Sequence, residues 1–489
     1  MKHRYLFVPV LACAITALAA SGLSLPPDGG KVPISTSSEE ARSEFLKGRT
    51  FADNLQLTNS LEHFDRAVEL DPNFATAYLN RANASGTAKE FFDYLHKAVE
   101  HASSASEGER LLILAADAAT SGNTARQKEY LEKAVAAYPG DERVHVTLGN
   151  FYFAQQDYRG AIDQFRRSID LAPEFAGAYN ILGYAYRQVE NYTEAEKVFK
   201  KYTELIPNDP NPHDSYAELL LKIGKFDESI TNYQKALAVD PNFVASYSGL
   251  AMNYMQKGMA EKADEAFDQL TMKARNNGER RLALFGKMVL AADAGKFERA
   301  LEVLDKEYAL SEEDHDPSQM ATDLAFRGNI LVEMGKFDDA RASYAKSLEI
   351  IDASGLSQKV KDNAHLVQHF NLVGVYVGKN DLKSAKAEAE QYRKGAVAKN
   401  NLNQIRFAHE LAGVIALAEK NYTNAIAELK QANLQNPQNL YRLGVAYAGK
   451  GEKAKAKEYY GKAAHFNGLP GLNYAFIRTK SLKMVDSIS

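Results

Sequence analysis

Two adjacent stretches of sequence decide the fold: residues 145–178, HVTLGNFYFAQQDYRGAIDQFRRSIDLAPEFAGA, and residues 179–212, YNILGYAYRQVENYTEAEKVFKKYTELIPNDPNP. Each holds a glycine, an alanine, a phenylalanine and a proline in the same order, and each of these residues recurs after 34 positions. The next two units continue the same columns. The columns are Gly149, Gly183, Ala217 and Ala251; Ala161, Ala195, Ser229 and Ala263; Phe165, Phe199, Tyr233 and Phe267; and Pro173, Pro207 and Pro241. A repeated unit therefore organises the chain.

Each unit is predicted to fold as helix–turn–helix. Apolar and small residues recur at i, i+3, i+4 and i+7, the pattern of a helix with one buried stripe. The small residue of the first column is predicted to let two helices approach closely where they cross, and the aromatic residue to fill the space between neighbouring units. Proline then ends the second helix because it has no N–H to donate. No strand-like alternation persists anywhere, so the sequence predicts an all-α protein.

This spacing resembles the tetratricopeptide repeat family, whose pattern places small, large apolar, aromatic and proline residues at these offsets. The resemblance extends over nearly all of residues 40–468 and implies a right-handed solenoid of about twelve repeats with a concave inner face. The tryptophan that the family often has at its fourth position is absent. That column is occupied here by His145, Tyr179, His213 and Tyr247. A polar helix over residues 472–484 is expected to cap the last repeat, because nothing stacks on a terminal unit.

The predicted domain organisation has five parts. Residues 1–20 combine a basic start with an apolar run, which is typical of a secretory signal peptide or, alternatively, of an uncleaved membrane anchor. Cys13 leaves a third possibility open, a lipidated N-terminus. Residues 21–38 are rich in Pro, Gly and Ser and are predicted to be a flexible linker. The remaining parts are an array of 34-residue repeats over 39–275, an array of longer repeats over 276–468, and a capping helix and tail over 469–489.

The composition excludes several classes of function. The 489 residues carry 59 Lys and Arg against 63 Asp and Glu, a net charge of −4, so no overall basic field attracts nucleic acid. The single cysteine lies in the N-terminal apolar run, so the rest of the chain forms no disulfide and no thiolate metal site. Residues 437–489 contain nine basic and three acidic residues. This basic segment is interpreted as a solvated helix face, with an acidic partner or anionic lipid as the alternative.

No catalytic or metal-binding motif stands out. The sequence has no Gly-Lys-Ser/Thr phosphate loop, no dinucleotide-type glycine cluster and no Gly-x-Ser-x-Gly elbow. Asp362, His365 and His369 share one face of a predicted helix, where they could bind zinc. A third strong ligand is missing, so ordinary surface or packing histidines are favoured. The protein is therefore predicted not to be an enzyme and to need no metal or cofactor.

Candidate binding residues follow from the resemblance, because in this family the first helix of each unit lines the concave face. The position after the first-column residue and positions about one turn away on the same helix are predicted to face a partner. The predicted contact residues are Asn150, Asn180, Tyr184, Arg187, Glu218, Met252 and Asn329. Amide and aromatic side chains suit an extended peptide.

The predicted function is therefore an exported, non-catalytic scaffold that binds a protein or peptide partner in its concave groove. One alternative is an accessory subunit of a cell-envelope biogenesis or secretion complex, anchored to the membrane by its N-terminus or by a lipid. A hydrolase with an unrecognised site is a third reading. The oligomeric state stays open.

Overall fold

The computed structural model describes residues 30–399 and 401–488, and in this part of the chain all regular secondary structure is helical. The predicted signal peptide or anchor over residues 1–20, Cys13 and the first half of the predicted linker lie outside the described residues. Among the helices that are described, none is long and apolar enough to cross a membrane.

Twelve consecutive helix pairs and one final helix follow one another along the described chain. The first six pairs are α1 Glu39–Asp53 and α2 Leu57–Leu70, α3 Ala75–Asn83 and α4 Ala88–Glu100, α5 Glu107–Thr120 and α6 Thr124–Ala137, α7 Glu142–Ala154 and α8 Tyr158–Leu171, α9 Ala176–Gln188 and α10 Tyr192–Leu205, and α11 Pro210–Lys222 and α12 Phe226–Val239. The last six pairs and the final helix are α13 Ala245–Gln256 and α14 Ala260–Lys273, α15 Asn277–Asp293 and α16 Phe297–Glu313, α17 Pro317–Glu333 and α18 Phe337–Ala353, α19 Gln358–Gly378 and α20 Leu382–Ala398, α21 Leu402–Ala418 and α22 Tyr422–Leu429, α23 Pro437–Gly449 and α24 Lys453–Ala464, and α25 Leu472–Ser487. The all-α solenoid of about twelve repeats with an additional C-terminal helix is confirmed.

The small residue of each regular first helix faces the aromatic ring of the second helix in the same repeat. A Cβ atom added to Gly149 would lie 2.4 Å from Cε1 of Phe165, and one added to Gly183 would lie 2.6 Å from Cζ of Phe199. Both rings are fully buried, as is Ala195 on the second helix. The ring occupies the space that a larger side chain on the first helix would need, which explains why the two columns recur together.

The turn inside every repeat except the second contains a residue in the left-handed region. Gly224, between α11 and α12, has a φ of 78°, and Glu190, which lies 34 residues earlier between α9 and α10, has a φ of 59°. Asn191 follows Glu190 and caps α10 by accepting a hydrogen bond from the backbone N–H of Glu194. The repeat therefore imposes the same turn geometry even where the sequence has no glycine.

Successive turns of the superhelix touch each other. Lys359 in α19 donates to the carbonyl oxygen of Thr120 at the end of α5. Nδ2 of Asn403 in α21 lies 3.5 Å from the carbonyl oxygen of Ala154 at the end of α7. Each contact joins a repeat to the one seven places further along, the third to the tenth and the fourth to the eleventh. The twelve repeats thus complete more than one superhelical turn.

Residues 31–36, which the sequence predicts to belong to a flexible linker, lie against the first four repeats. The backbone N–H of Val32 donates to Oδ2 of Asp141 over 2.9 Å, and Nη2 of Arg42 donates to the carbonyl oxygen of Ile34 over 2.9 Å. Side chains of the array therefore bind the backbone of this segment. These contacts hold residues 31–36 in place although their sequence predicts a flexible linker. We call residues 31–36 the N-terminal strap.

Helix α25 does more than cap the last repeat. Its side chains at Leu472, Tyr474, Ala475, Phe476 and Ile477 are at most 5% exposed and share one core with α13 to α16. The expected cap was polar, but this helix has a buried apolar face because the superhelix brings it against a second surface.

The basic C-terminal segment also meets acidic groups of this chain. Arg478 donates to both carboxylate oxygens of Asp293 at the end of α15, and Nζ of Lys480 lies 2.6 Å from Oε2 of Glu333 at the end of α17. The C-terminal ends of helices carry partial negative charge, which favours cations there. These two basic residues are therefore not part of a purely solvated face.

Candidate functional site

The predicted contact residues of the central repeats bind one another. Nδ2 of Asn180 donates to Oγ of Ser215 over 2.8 Å, and the hydroxyl of Tyr184 donates to Oε2 of Glu218 over 2.8 Å. Nη1 of Arg187 lies 2.5 Å from Oε1 of the same Glu218. The side chains come from α9 and α11, whose inner faces are adjacent in the array. We call these five residues the central polar network.

The central polar network uses most of its hydrogen-bonding capacity within the chain. The side chains of Arg187 and Glu218 are 18% and 15% exposed. Burial, assisted by the negative charge of Glu218, raises the pKa of Tyr184 well above its ordinary value, so the hydroxyl stays protonated and donates. Tyr184 and Glu218 therefore have little capacity left for the backbone of a partner, whereas Arg187 keeps further N–H groups to donate.

The other three predicted contact residues lie in different surroundings. Met252 is fully buried in the core that α13 shares with α25, so its side chain packs instead of facing a partner. Oδ1 of Asn329 accepts a hydrogen bond from the hydroxyl of Tyr344 over 2.7 Å. Asn150 is exposed and lines a cavity between the first four repeats.

Asp214 extends the buried polar region from α11 towards α13. Its Oδ1 accepts a hydrogen bond from Oγ of Ser246 over 2.6 Å. Burial raises the pKa of Asp214 to about 7; the hydrogen bond from Ser246 opposes this shift, and the charge of Glu218 adds to it. In the folded protein this carboxyl group therefore titrates near neutral pH.

We expect Asp214→Asn to make the stability less dependent on pH. The pKa of Asp214 is higher in the folded than in the unfolded chain, so the folded protein retains a proton that the unfolded chain releases. Stability from this group is complete below about pH 4 and is lost as pH rises to about 7, by up to about 1.4 kcal/mol per pH unit. Asparagine keeps an acceptor for Ser246 and does not titrate. Urea unfolding between pH 5 and 8 measures the slope.

The exposed carboxylate of Asp227 provides the control for that experiment. Its side chain is 86% exposed, so Asp227→Asn should keep the wild-type slope. Equal slopes for wild type and the Asp214 variant would show that Asp214 is ionised in the folded protein at pH 5.

A cavity of about 450 Å³ lies on the concave face of the first four repeats. Two positions of the first helix in each of these repeats form its walls. They are the repeat positions at which the sequence predicts contact residues in the regular 34-residue units. These residues are Arg49, Asn83, Ala116 and Asn150 after the first column, and Phe45, Leu79, Leu112 and Val146 one turn earlier. Val32 and Ile34 of the N-terminal strap form one side. We call this space the N-terminal cavity.

Arg49 was missed by the sequence analysis, although the repeat register contains the signal for it. Gly48 precedes Phe64 by 16 residues, as Gly149 precedes Phe165, and a Cβ atom on Gly48 would lie 2.8 Å from that ring. Arg49 therefore occupies the same repeat position as Asn150. The irregular second and third repeats hide this register from inspection of the 34-residue period.

Arg49 has no direct ion pair among the described residues, although the carboxylates Asp53, Glu109 and Asp141 also line the N-terminal cavity. Arg143 pairs with Asp53, with Nη2 and Oδ2 2.5 Å apart, and with Glu142. Burial, followed by repulsion from Arg143, lowers the pKa of Arg49, and the charges of Asp53, Asp141 and Glu142 oppose this shift. An acidic group in the cavity would relieve both effects.

A second cavity, of about 340 Å³, lies between α17, α19, α21 and α23 and includes Asn329. The ring centroids of Phe370 and Phe407 are 5.6 Å apart on its wall. Nη1 of Arg442 lies 2.6 Å from Oε1 of Glu410, so these opposite charges already compensate each other.

The two histidines predicted to share a helix face bind different carboxylates. Nε2 of His365 lies 3.1 Å from Oδ1 of Asp352, and Nδ1 of His369 lies 2.5 Å from Oε2 of Glu388. Within residues 30–399 and 401–488, no group of three His, Cys, Asp or Glu side chains is placed to hold a metal ion.

Family patterns match the chain in four segments. They are described as Tetratricopeptide repeat over residues 146–210, TPR repeat over 217–258, and Tetratricopeptide repeat over 324–353 and 437–464.

Curated relatives match the chain at low identity. It is 24% identical over 217 residues to the anaphase-promoting complex subunit cut9 of Schizosaccharomyces pombe, a match covering 42% of this chain and 31% of that protein. It is also 24% identical over 230 residues to stress-induced-phosphoprotein 1 of Caenorhabditis elegans, covering 45% of this chain and 68% of that protein. The match to cut9 thus spans less than a third of its length. Two further relatives are named as transferases and are matched over 12% and 9% of their lengths.

Solved structures also resemble parts of the chain. A tetratricopeptide repeat protein from Parabacteroides merdae is 16% identical, with a TM-score of 0.39, and the match covers 53% of this chain and 97% of that one. The family matches fall on helix pairs of the array described above. The repeat columns, the twelve helix pairs and the matching family patterns together identify the chain as a tetratricopeptide repeat protein.

Proposed function

We propose that this protein is a scaffold that binds an extended segment of a partner protein in the N-terminal cavity, and that Arg49 pairs with an acidic group of that segment. The N-terminal strap is the observation that carries the proposal. Its backbone is bound by side chains of the array at the side of the cavity, as in the hydrogen bond from Val32 to Asp141. The inner surface of these repeats thus already binds a peptide backbone within the chain.

The walls of the N-terminal cavity suit a second extended segment. Asn83 and Asn150 are exposed amides, which can both donate to and accept from a peptide backbone. Phe45, Leu79 and Leu112 provide apolar surface for alternate side chains. A volume of about 450 Å³ accommodates a few residues of such a segment.

A peptide-display selection on the full chain tests the proposal. We expect selected sequences to share Asp or Glu at one fixed position. Arg49→Gln should then lower the affinity of a selected peptide at least about tenfold, because a hydrogen bond to a charged group contributes about 1.5–3 kcal/mol. Asn150→Ala should lower the affinity less, since it removes a neutral contact. Isothermal titration calorimetry measures both values.

Lys201→Gln is the matched control for the loss of one positive charge. Lys201 lies on α10, its side chain is 47% exposed, and it does not line the cavity. Its replacement should leave the affinity unchanged. Peptides without an acidic residue that bind the Arg49 variant as tightly as wild type would contradict the proposal. Loss of binding on Glu218→Gln alone would instead locate the partner site at the central polar network.

We also propose that the protein is exported, on the basis of the basic and apolar sequence of residues 1–20. Mass spectrometry of the full chain expressed in bacteria, combined with cell fractionation, tests this. A mature envelope protein that has lost about 20 residues supports a cleaved signal, and a lipidated N-terminus at Cys13 supports anchoring. Unprocessed protein in the cytoplasm would contradict export. An accessory role in an envelope complex depends on this result.

A further inference from the structure

Basic side chains converge on a pocket where two turns of the superhelix meet. The pocket has a volume of about 260 Å³ and lies between the ends of α9 and α11 on one side and α23, α24 and the following loop on the other. Its lining contains three full positive charges, Arg187, Lys222 and Lys462, and one negative charge, Glu190. We call it the inter-turn pocket.

Lys222 is the least compensated of the three cations. Its Nζ donates to the carbonyl oxygen of Phe466 over 2.7 Å and lies 3.6 Å from the centroid of the Phe466 ring. No carboxylate of the described chain forms an ion pair with this ammonium group, which has three protons to donate. Burial, together with the charge of Arg187, lowers the pKa of Lys222 to about 8, so the group is still mostly protonated at pH 7.

The other two cations face the pocket from opposite turns. Arg187 uses Nη1 to bind Glu218 and has further N–H groups to donate. Lys462, on α24, is 47% exposed at its side chain and pairs with Glu458 over 2.9 Å. Glu190 lies on the lining itself, and Glu218 and Glu458 compensate Arg187 and Lys462 as ion-pair partners, so Lys222 is the cation of the pocket that has no carboxylate partner among the described residues.

The remaining walls are aromatic and apolar. The rings of Tyr192, Tyr459 and Phe466 line the pocket together with Leu434 and Leu440. Phenolic hydroxyls can donate to an anion, and the apolar surface can contact a small organic group attached to it.

We propose that the inter-turn pocket binds a small molecule that bears a phosphate group. The phosphate oxygens accept hydrogen bonds from Lys222, which has no ion-pair partner among the described residues, and from Arg187 on one turn, and from Lys462 on the other. The volume exceeds that of a phosphate group alone, so the ligand carries a short organic part against Leu434 and Leu440. Because its contacts come from both turns, the ligand ties the fifth and sixth repeats to the twelfth. This site is separate from the N-terminal cavity and does not depend on the proposed function.

Calorimetric titration and thermal unfolding of the full chain at pH 7 test the proposal with inorganic phosphate and 3-phosphoglycerate as probes. Sodium chloride of equal ionic strength and glycerol are the charge and shape controls. We expect one saturable site for both phosphate probes, tighter binding of 3-phosphoglycerate, and a higher unfolding temperature that neither control reproduces. Absence of a saturable site for both probes overturns the proposal.

Three variants locate the binding. Lys222→Met should reduce phosphate affinity at least tenfold, and Lys462→Gln, at the exposed rim, should reduce it several-fold without a risk to folding. Lys455→Gln removes an exposed lysine that pairs with Glu452 outside the pocket and should bind like wild type. Wild-type affinity in the Lys222 and Lys462 variants would show that phosphate binds elsewhere and would overturn the proposal.

The phosphate headgroup of a membrane lipid is the alternative ligand for this pocket. Vesicles that contain phosphatidic acid should not bind in a Lys222-dependent way, because the pocket lies between two turns of the chain. Vesicle binding that is lost in Lys222→Met, without binding of the soluble probes, would overturn the assignment to a small molecule.

Discussion

Asp323→Asn is expected to destabilise the protein by about 3–5 kcal/mol, because it removes the main counterion of a buried arginine. Both terminal nitrogens of Arg281 donate to Asp323, with Nη1–Oδ2 and Nη2–Oδ1 distances of 2.8 and 2.7 Å. The two residues are 6% and 1% exposed. Glu307 also lies beside Arg281, with Oε1 3.1 Å from Nη2. Burial and the negative charge of Asp323 raise the pKa of Glu307 to about 8, so Glu307 is mostly protonated at pH 7. Urea unfolding of the full chain at pH 7 measures the loss of stability.

The exposed pair between Arg299 and Glu302 on α16 is the control for this prediction. Their side chains are 57% and 63% exposed and 2.8 Å apart. Glu302→Gln should change the stability by less than about 1 kcal/mol. A similarly small effect of Asp323→Asn would show that Glu307 ionises in the variant and replaces the lost carboxylate, and would contradict the predicted destabilisation.

Phe476→Ala is expected to destabilise the packing of α25 against the middle of the array by about 3–5 kcal/mol. Phe476 lies on α25, is 4% exposed, and its ring centroid is 6.3 Å from that of Phe297 on α16. Truncation leaves a cavity between the C-terminal helix and the middle of the array. Since stability in a repeat array is largely local, hydrogen exchange of α25 and α15 reports the loss more directly than global unfolding.

Phe92→Ala supplies the matched aromatic control. Phe92 lies on α4 and is 55% exposed, so its removal leaves no cavity. Exchange of α25 should be accelerated by Phe476→Ala and unaffected by Phe92→Ala. Wild-type exchange in the Phe476 variant would mean that α25 caps only the last repeat, as the sequence alone predicts.

The sequence predicts the repeat unit because its determinants are local and periodic. Gly183 and Phe199 are 16 residues apart and contact each other within one helix pair, so the same pair of residues is required in every regular unit. The rule that selects Asn150 also selects the wall of the N-terminal cavity when the register is extended from Gly48. This local pattern could not predict which inner residues remain available to a partner. In the central polar network, predicted contact residues instead bind other side chains of the chain.

The sequence by itself determined the helix pairs and their approximate number, because contacts within a repeat span few residues. Only the tertiary structure decided what occupies the inner face of the array. The N-terminal strap binds beside the first repeats, and Arg478 reaches Asp293 across 185 residues. Such contacts depend on how small rotations between neighbouring repeats add up over a full superhelical turn, and no single unit encodes that sum. For this reason the same repeat position is free at Asn150, bound internally at Tyr184 and buried at Met252.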